Sequence, residues 1–482
     1  VALLALMLVV IAGFGIVERD RLAADAPAGA ASPGEPIRAA QAEGTSLMGV
    51  GRLEGLPRAC TAWLLDVGAV PQATAHAVTA GRCLGIEDTA TVLAREPVTG
   101  ASVVLGAFAA ATPVSRTEPI RVPVDRVVWA SMRGTDLALL RLATTYGDLA
   151  ARGVRPIPAA EPLGAGAQIL VAGVPIGGIP GPERNLRGSR CSVGGTVDVL
   201  EAPWVWPAVQ SSDCAGFLEG SAGSPALDPG GRAVGMAVTT TIGSERADRC
   251  YEGRPCEVRS EDVRVAADTT YLTSVAGLDQ CFAEGAFGDG EQCPLEDPAG
   301  VVEAVPQSPD ARPGGAVRIT VEGRRPNSPV GSRIGPLGDV DCFDAAGWRT
   351  SVLTGDVLTV QMPVIQGFAL ACVGTPSQPT PIVVEADSAA PDASDVGLDQ
   401  WEVPGGVLVR PTSDSADVTG FRWTAGPTGS ITCATAEGWA EYRGQPELIE
   451  VADLPMTVCV VGLDEAGNAT APVAVEVTLP GE

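Results

Sequence analysis

Apolar positions along this chain fall into short runs, among them Ala77-Val78-Thr79, Leu137 to Leu142, Gln168 to Val174 and Ala233 to Val238, punctuated by glycine and proline. Runs of this length bounded by turn residues predict strands. The pattern holds from about Leu47 to Leu278, and the segment 47–278 is expected to be one all-β domain of barrel or sandwich type.

Two stretches depart from it. Val1 to Val17 is an unbroken apolar and glycine run closed by Glu18-Arg19-Asp20-Arg21. That is the lower limit for crossing about 30 Å of hydrocarbon as a helix, so residues 1–17 are expected to be a membrane anchor. A cleaved signal peptide with Ala24-Asp25-Ala26 as its site is the rival reading. Residues 18–46, rich in Ala, Pro, Gly and acidic side chains without periodicity, are expected to be an extended linker.

The C-terminal part carries an internal repeat. Cys342 is followed six residues later by Trp348 and then by Cys372, and Cys433 six residues later by Trp439 and then by Cys459; Gly314-Gly315 and Gly405-Gly406 precede the first cysteine of each copy at equal distance. Segments 301–388 and 389–482 are therefore two copies of one module, joined to the preceding domain by a disulfide-containing connector over 279–300. Their size, cysteine pair and tryptophan resemble bacterial immunoglobulin-like or fibronectin-like sandwiches.

Composition narrows the function. Aromatics are only 4% of the 482 residues, whereas Gly (59) and Pro (40) abound, which favours strands and turns. The net charge of -26 repels phosphate backbones and anionic lipid head groups, so no nucleic-acid partner is expected. Lysine is absent and His76 is the single histidine. The cysteines number twelve, with no C-x-x-C pair, and read as disulfides in an oxidising compartment. Pairing within each proposed domain or its border gives Cys60 to Cys83, Cys191 to Cys214, Cys250 to Cys256, Cys281 to Cys293, Cys342 to Cys372, and Cys433 to Cys459.

Three segments carry candidate chemistry: Cys60-Thr61-Ala62 with Val78-Thr79-Ala80-Gly81-Arg82-Cys83, then Thr135-Asp136-Leu137-Ala138-Leu139-Leu140, then Gly220-Ser221-Ala222-Gly223-Ser224-Pro225. In order and spacing they resemble the T-A-x-H-C, D-[IL]-A-L and G-[DN]-S-G-[SG]-P segments of the trypsin-like serine proteases of chymotrypsin fold. The resemblance implies a double β-barrel, with Cys60–Cys83 and Cys191–Cys214 similar to family bridges. It also implies oxyanion-hole-like amides at Gly220 and Ala222.

The departures fall on the triad itself. Arg82 stands at the histidine position and Ala222 at the serine position, while Asp136 is kept. The triad base must accept a proton and return it; a guanidinium has no acceptor lone pair and stays charged. Ala222 has no nucleophile. A bidentate Arg82–Asp136 ion pair is expected to neutralise the retained carboxylate. His76, six residues before Arg82, is too far along a strand to serve as base, and Ser221 becomes a nucleophile only after a one-residue shift.

The expectation is a catalytically inactive homologue with a peptide or protein ligand in its degenerate cleft, extracytoplasmic, with no metal and no cofactor. Two alternatives stand beside it: an active serine endopeptidase using Ser221, and an architectural cell-envelope protein. Asp289-Gly290-Glu291 lacks calcium-loop spacing, and Asn468-Ala469-Thr470 is a formal glycosylation sequon.

Overall fold

The structure, a computed structural model, describes residues 34–109, 118–242, 250, 252–259, 262–288, 292–295, 302–308, 310–322, 329–415 and 417–479. Contacts divide the chain near residue 298 into two compact units. The anchor expected at 1–17, most of the linker and the acidic turn at 289–291 lie outside the described residues. Among the described residues no helix is long and apolar enough to cross a membrane.

The first unit holds two six-stranded barrels. Strands β1 (Val50–Glu54), β2 (Cys60–Asp66), β3 (Thr74–Thr79), β4 (Ser102–Leu105), β5 (Ile120–Ser131) and β6 (Leu137–Thr145) pair in the order β1-β4-β5-β6-β3-β2, and β2 returns to β1. Strands β7 (Gln168–Gly173), β8 (Arg187–Glu201), β9 (Trp204–Ser212), β10 (Ser224–Leu227), β11 (Ala233–Thr240) and β12 (Thr270–Thr273) pair as β7-β10-β11-β12-β9-β8, closed by β7 against β8. Closure removes the unpaired sheet edge that an open arrangement would expose.

Sequence explains the local choices. In β2 every position but Asp66 is buried, and in β6 Leu137 to Leu140 and Leu142 are, matching their apolar runs; Trp63, Leu139 and Leu140 are fully enclosed. Strands β8 and β9 form a long hairpin whose register shifts twice, between Val193 and Thr196 and between Val197 and Val199, before the tip pairs Glu201 with Trp204. Such irregularities bend and twist a ribbon.

Two segment assignments change. Residues 34–46, read as linker, are folded at least from Glu35: Glu35–Pro36 pairs with Arg187 and Gly188 of β8, and Ile37 and Ala42 are buried. Ile37 is one apolar side chain in a polar, Ala-rich stretch, too sparse a pattern to show periodicity. The connector from 279 is likewise part of the first unit through Cys281: the hairpin Phe282–Ala283 with Ala286–Phe287 sets Phe282 edge-on to His76, ring centroids 4.7 Å apart. Burial of two phenylalanines offsets the cost of ordering that loop.

All six disulfides join sequence neighbours as paired above, and no free cysteine remains. In the second unit, Ala304–Pro306, Ala316–Val321 and Val357–Gln361 form one sheet facing a second sheet built on Pro329–Pro336, Gly367–Thr375 and Gln378–Ala386, with Ile319, Leu358, Ala371 and Val384 between them. A second pair of sheets, from Val396–Val403 to Val473–Val477, encloses its own core around Val407, Val409, Val458 and Val460. Asn468 is buried, and its side-chain amide donates to Asp387 O at 3.1 Å and Asp464 Oδ2 at 2.9 Å.

Candidate functional site

Arg82 sits in the single 3-10 turn Gly81–Leu84 that follows β3, pinned by the Cys60–Cys83 bridge. A Cβ at residue 81 would overlap the carbonyl oxygen of Ser131, so only glycine lets this turn approach β5. Asp136 immediately precedes β6 and is fully buried. Its Oδ1 accepts the Arg82 backbone amide at 2.9 Å and its Oδ2 accepts Arg82 Nε at 2.5 Å.

The guanidinium fork goes elsewhere. Nη1 donates to Glu201 Oε1 at 3.3 Å and Nη2 to Glu201 Oε2 at 3.1 Å. The expected bidentate pairing with Asp136 is thus corrected: Asp136 takes one side-chain donor and one main-chain donor, and Glu201, a residue absent from the sequence reading, takes the fork. Burial decides this, because Glu201 is fully enclosed and a buried carboxylate must find charge-assisted donors. Gly253 N completes the set, donating to Glu201 Oε1 at 2.6 Å. Trp206 lies over the guanidinium, 5.2 Å from Cζ to ring centroid, and its Nε1 donates to Met132 O at 3.3 Å.

The cluster therefore holds one cation and two carboxyl groups. Burial by itself disfavours the Arg82 charge, but Asp136 and Glu201 outweigh it and hold the guanidinium more firmly protonated than an ordinary arginine. Burial, with a contribution from Glu201, pushes the Asp136 carboxyl above the usual range against the pull of Arg82.

The loop Gly220 to Gly223 is held from both barrels. Thr61 N donates to Ala222 O at 2.9 Å, Thr61 Oγ1 donates to Gly220 O at 2.9 Å, and Gly223 N donates to Ala237 O at 2.9 Å. Gly223 has φ +90°, and a Cβ there would overlap Thr61 O, so the loop's glycine is a geometric requirement. Ala222 is half-buried. Among the described residues, no acceptor meets the amide hydrogens of Gly220 or Ala222.

Ser221 is only 3% exposed. Its Oγ accepts Leu218 N at 3.2 Å and its carbonyl accepts Ser224 Oγ at 2.6 Å, so the side chain stabilises its own turn. His76 is buried on β3 against Phe282; burial first, then the nearby Arg141, push its imidazole down to about 4. Gly216 lines a narrow cavity with Ser221 and Ser224 whose lining includes neither Arg82 nor Asp136. No group of side chains able to hold a metal occurs among the described residues.

Residues 60–236 match the family model described as a trypsin-like peptidase domain. No match was found among curated proteins. Similar solved structures include human heparin binding protein, at 17% identity over 51% of this chain and 92% of that one with a TM-score of 0.31. A thermostable serine protease from an extremophilic microorganism gives 14% identity over 47% and 91%, with a TM-score of 0.26.

Proposed function

We propose that this protein is a catalytically inactive trypsin-like serine protease homologue that acts outside the cytoplasm as a binding or scaffold protein. The observation that carries the reading is the Arg82 guanidinium fixed between Asp136 and Glu201 at the histidine position, with Ala222 in the nucleophile loop. The Arg82 guanidinium has no acceptor lone pair and Ala222 has no nucleophile, and acyl transfer by this fold needs both a base and a nucleophile. Six disulfides support an extracytoplasmic setting. The two C-terminal modules, with their bridged paired sheets, suit immunoglobulin-like spacers that present the first unit, and the acidic surface makes peptide or protein the fitting ligand class.

Catalysis through Ser221 is disfavoured by its burial and by its engagement with Leu218 N. The test is direct. The purified chain is treated with a serine-reactive fluorophosphonate and separately with fluorogenic casein. Absence of both adduct and turnover is the expected result; an adduct on Ser221, or turnover lost in Ser221→Ala, overturns the reading.

A further inference from the structure

A second pocket lies on the outer face of the second barrel. In β7 and β8 the side chains of Ile169, Val171 and Cys191 turn into the barrel core with Ala226 of β10, so the residues between them face outward, because side chains alternate along a strand. The register then sets three outward residues in one row, Arg190 opposite Leu170 and Leu170 opposite Leu227. Gln168 stands beside this row on the same face, its Nε2 donating to Ser192 Oγ at 2.8 Å.

The folded arm at residues 34–49 makes the facing wall. Its 3-10 turn Ser46–Gly49 brings Ser46 and Leu47 to the pocket. The arm meets the turn after β10 so closely that a Cβ on Gly231 would stand 2.7 Å from Ser46 Oγ. Between these walls is a cavity of about 340 Å³, with Leu47, Leu170, Leu227 and Pro229 supplying apolar lining. That size and character are those of small-ligand pockets. Its lining includes none of Arg82, Asp136 and Ala222.

The polar groups of the pocket are unevenly engaged. Two charged residues line it, Arg190 and Asp228. Asp228 is satisfied: its Oδ1 accepts Gly230 N at 2.8 Å and Arg232 N at 2.9 Å, and its Oδ2 accepts Arg232 Nε at 2.8 Å. The Arg190 guanidinium, in contrast, meets no carboxylate or other acceptor among the described residues. Gln41 Oε1 accepts Arg38 N at 2.8 Å, which fixes the amide and leaves its Nε2 hydrogens available. An uncompensated cation and spare N–H donors beside an apolar floor fit an acceptor-only head group on an apolar body.

We infer that this pocket binds an apolar monocarboxylate, with the carboxylate on Arg190 and the hydrocarbon over Leu170 and Leu227. The inference stands apart from the non-hydrolytic reading, since neither the pocket nor its test involves the triad positions.

The experiment is titration calorimetry of the full chain at low ionic strength with octanoate, N-acetyl-Leu-Leu and octan-1-ol. One-to-one binding of at least one carboxylate is expected, tighter than that of octan-1-ol and weakened about tenfold or more in Arg190→Gln, the scale of a lost charge-assisted contact. Tighter binding of octanoate assigns the pocket to free acids, and tighter binding of N-acetyl-Leu-Leu to chain termini. Arg190 is exposed, so the variant should fold. Arg152→Gln, which alters another exposed arginine of the first unit, should bind as the unsubstituted chain does. Failure of both carboxylates to bind at millimolar concentration overturns the proposal. So does binding that Arg190→Gln leaves unchanged, or that Arg152→Gln weakens equally.

Discussion

Arg82 and Glu201 stand 119 residues apart in sequence, yet each nitrogen of the Arg82 fork meets its own oxygen of the Glu201 carboxylate, at 3.3 and 3.1 Å. Arg82 belongs to the first barrel and Glu201 to the second. Arg82 and Glu201 thus form a fixed ionic joint between the two barrels.

Removing the cation should therefore be costly. Arg82→Leu leaves two buried carboxyl groups without their shared donor, and breaking a buried pair in this way costs about 3–5 kcal/mol. Arg82→Leu combined with Asp136→Asn and Glu201→Gln should recover most of that loss, because no unpaired charge is left behind. Denaturant unfolding followed by tryptophan emission measures both, and a triple variant no more stable than the single one would refute the account.

The same joint bears on attempts to restore chemistry. Arg82→His with Ala222→Ser rebuilds a Ser-His-Asp constellation but leaves Glu201 without the fork and the hairpin over the site. The double revertant should remain unreactive toward an acylating reagent, whereas adding Glu201→Gln should permit an adduct at position 222, read by mass spectrometry. Labelling of the double revertant at the rate of the triple would show that the hairpin is no barrier.

Acid stability should report on His76. Its folded pKa is depressed to about 4 from an unfolded value near 6.5, because burial and Arg141 disfavour the imidazolium. The neutral form is the one the fold accommodates, so this contribution is fully present above about pH 6.5 and is lost as pH falls toward 4. Its size is at most ~3 kcal/mol. Asp136 works in the opposite sense: its raised carboxyl favours the fold at low pH and loses that contribution as pH rises through its folded value. As His76 is the only histidine, His76→Gln should flatten the stability curve between pH 6.5 and 4.5, and an unchanged slope would contradict the assignment.

The sequon at Asn468 should stay bare after folding. Its amide is buried against Asp464 and Asp387, and Thr470 is buried too. Asn468→Ala should lower the thermal midpoint of the C-terminal modules, while intact-mass measurement of protein from a glycosylating host should show no glycan at this site on folded chain.

Much of this arrangement was legible from residues alone. The runs at Ala77, Leu137, Gln168 and Ala233 betray barrel strands because buried strands have little room for polar side chains, and the three motif segments bring Arg82, Asp136 and Ala222 into view. Glu201 was not legible, because it sits outside every motif and its partner is set by the bend of a long irregular hairpin. Its one signal was a lone carboxylate inside Val199-Leu200-Glu201-Ala202-Pro203-Trp204, an apolar setting that demands a distant cation. The expected Arg82–Asp136 ion pair is present but not as a bidentate fork: charge balance was argued pairwise, and a third group changed the geometry.

The disulfides carry one more implication. Every bridge closes a short loop, the longest spanning 30 residues and the shortest 6. Covalently the chain is a string with six small knots and no long-range tie, so pulled by its ends it would pay out in steps, each module yielding by itself. Reduction would then lengthen the fully stretched chain by roughly 400 Å, at about 3.4 Å per residue, without changing the number of steps.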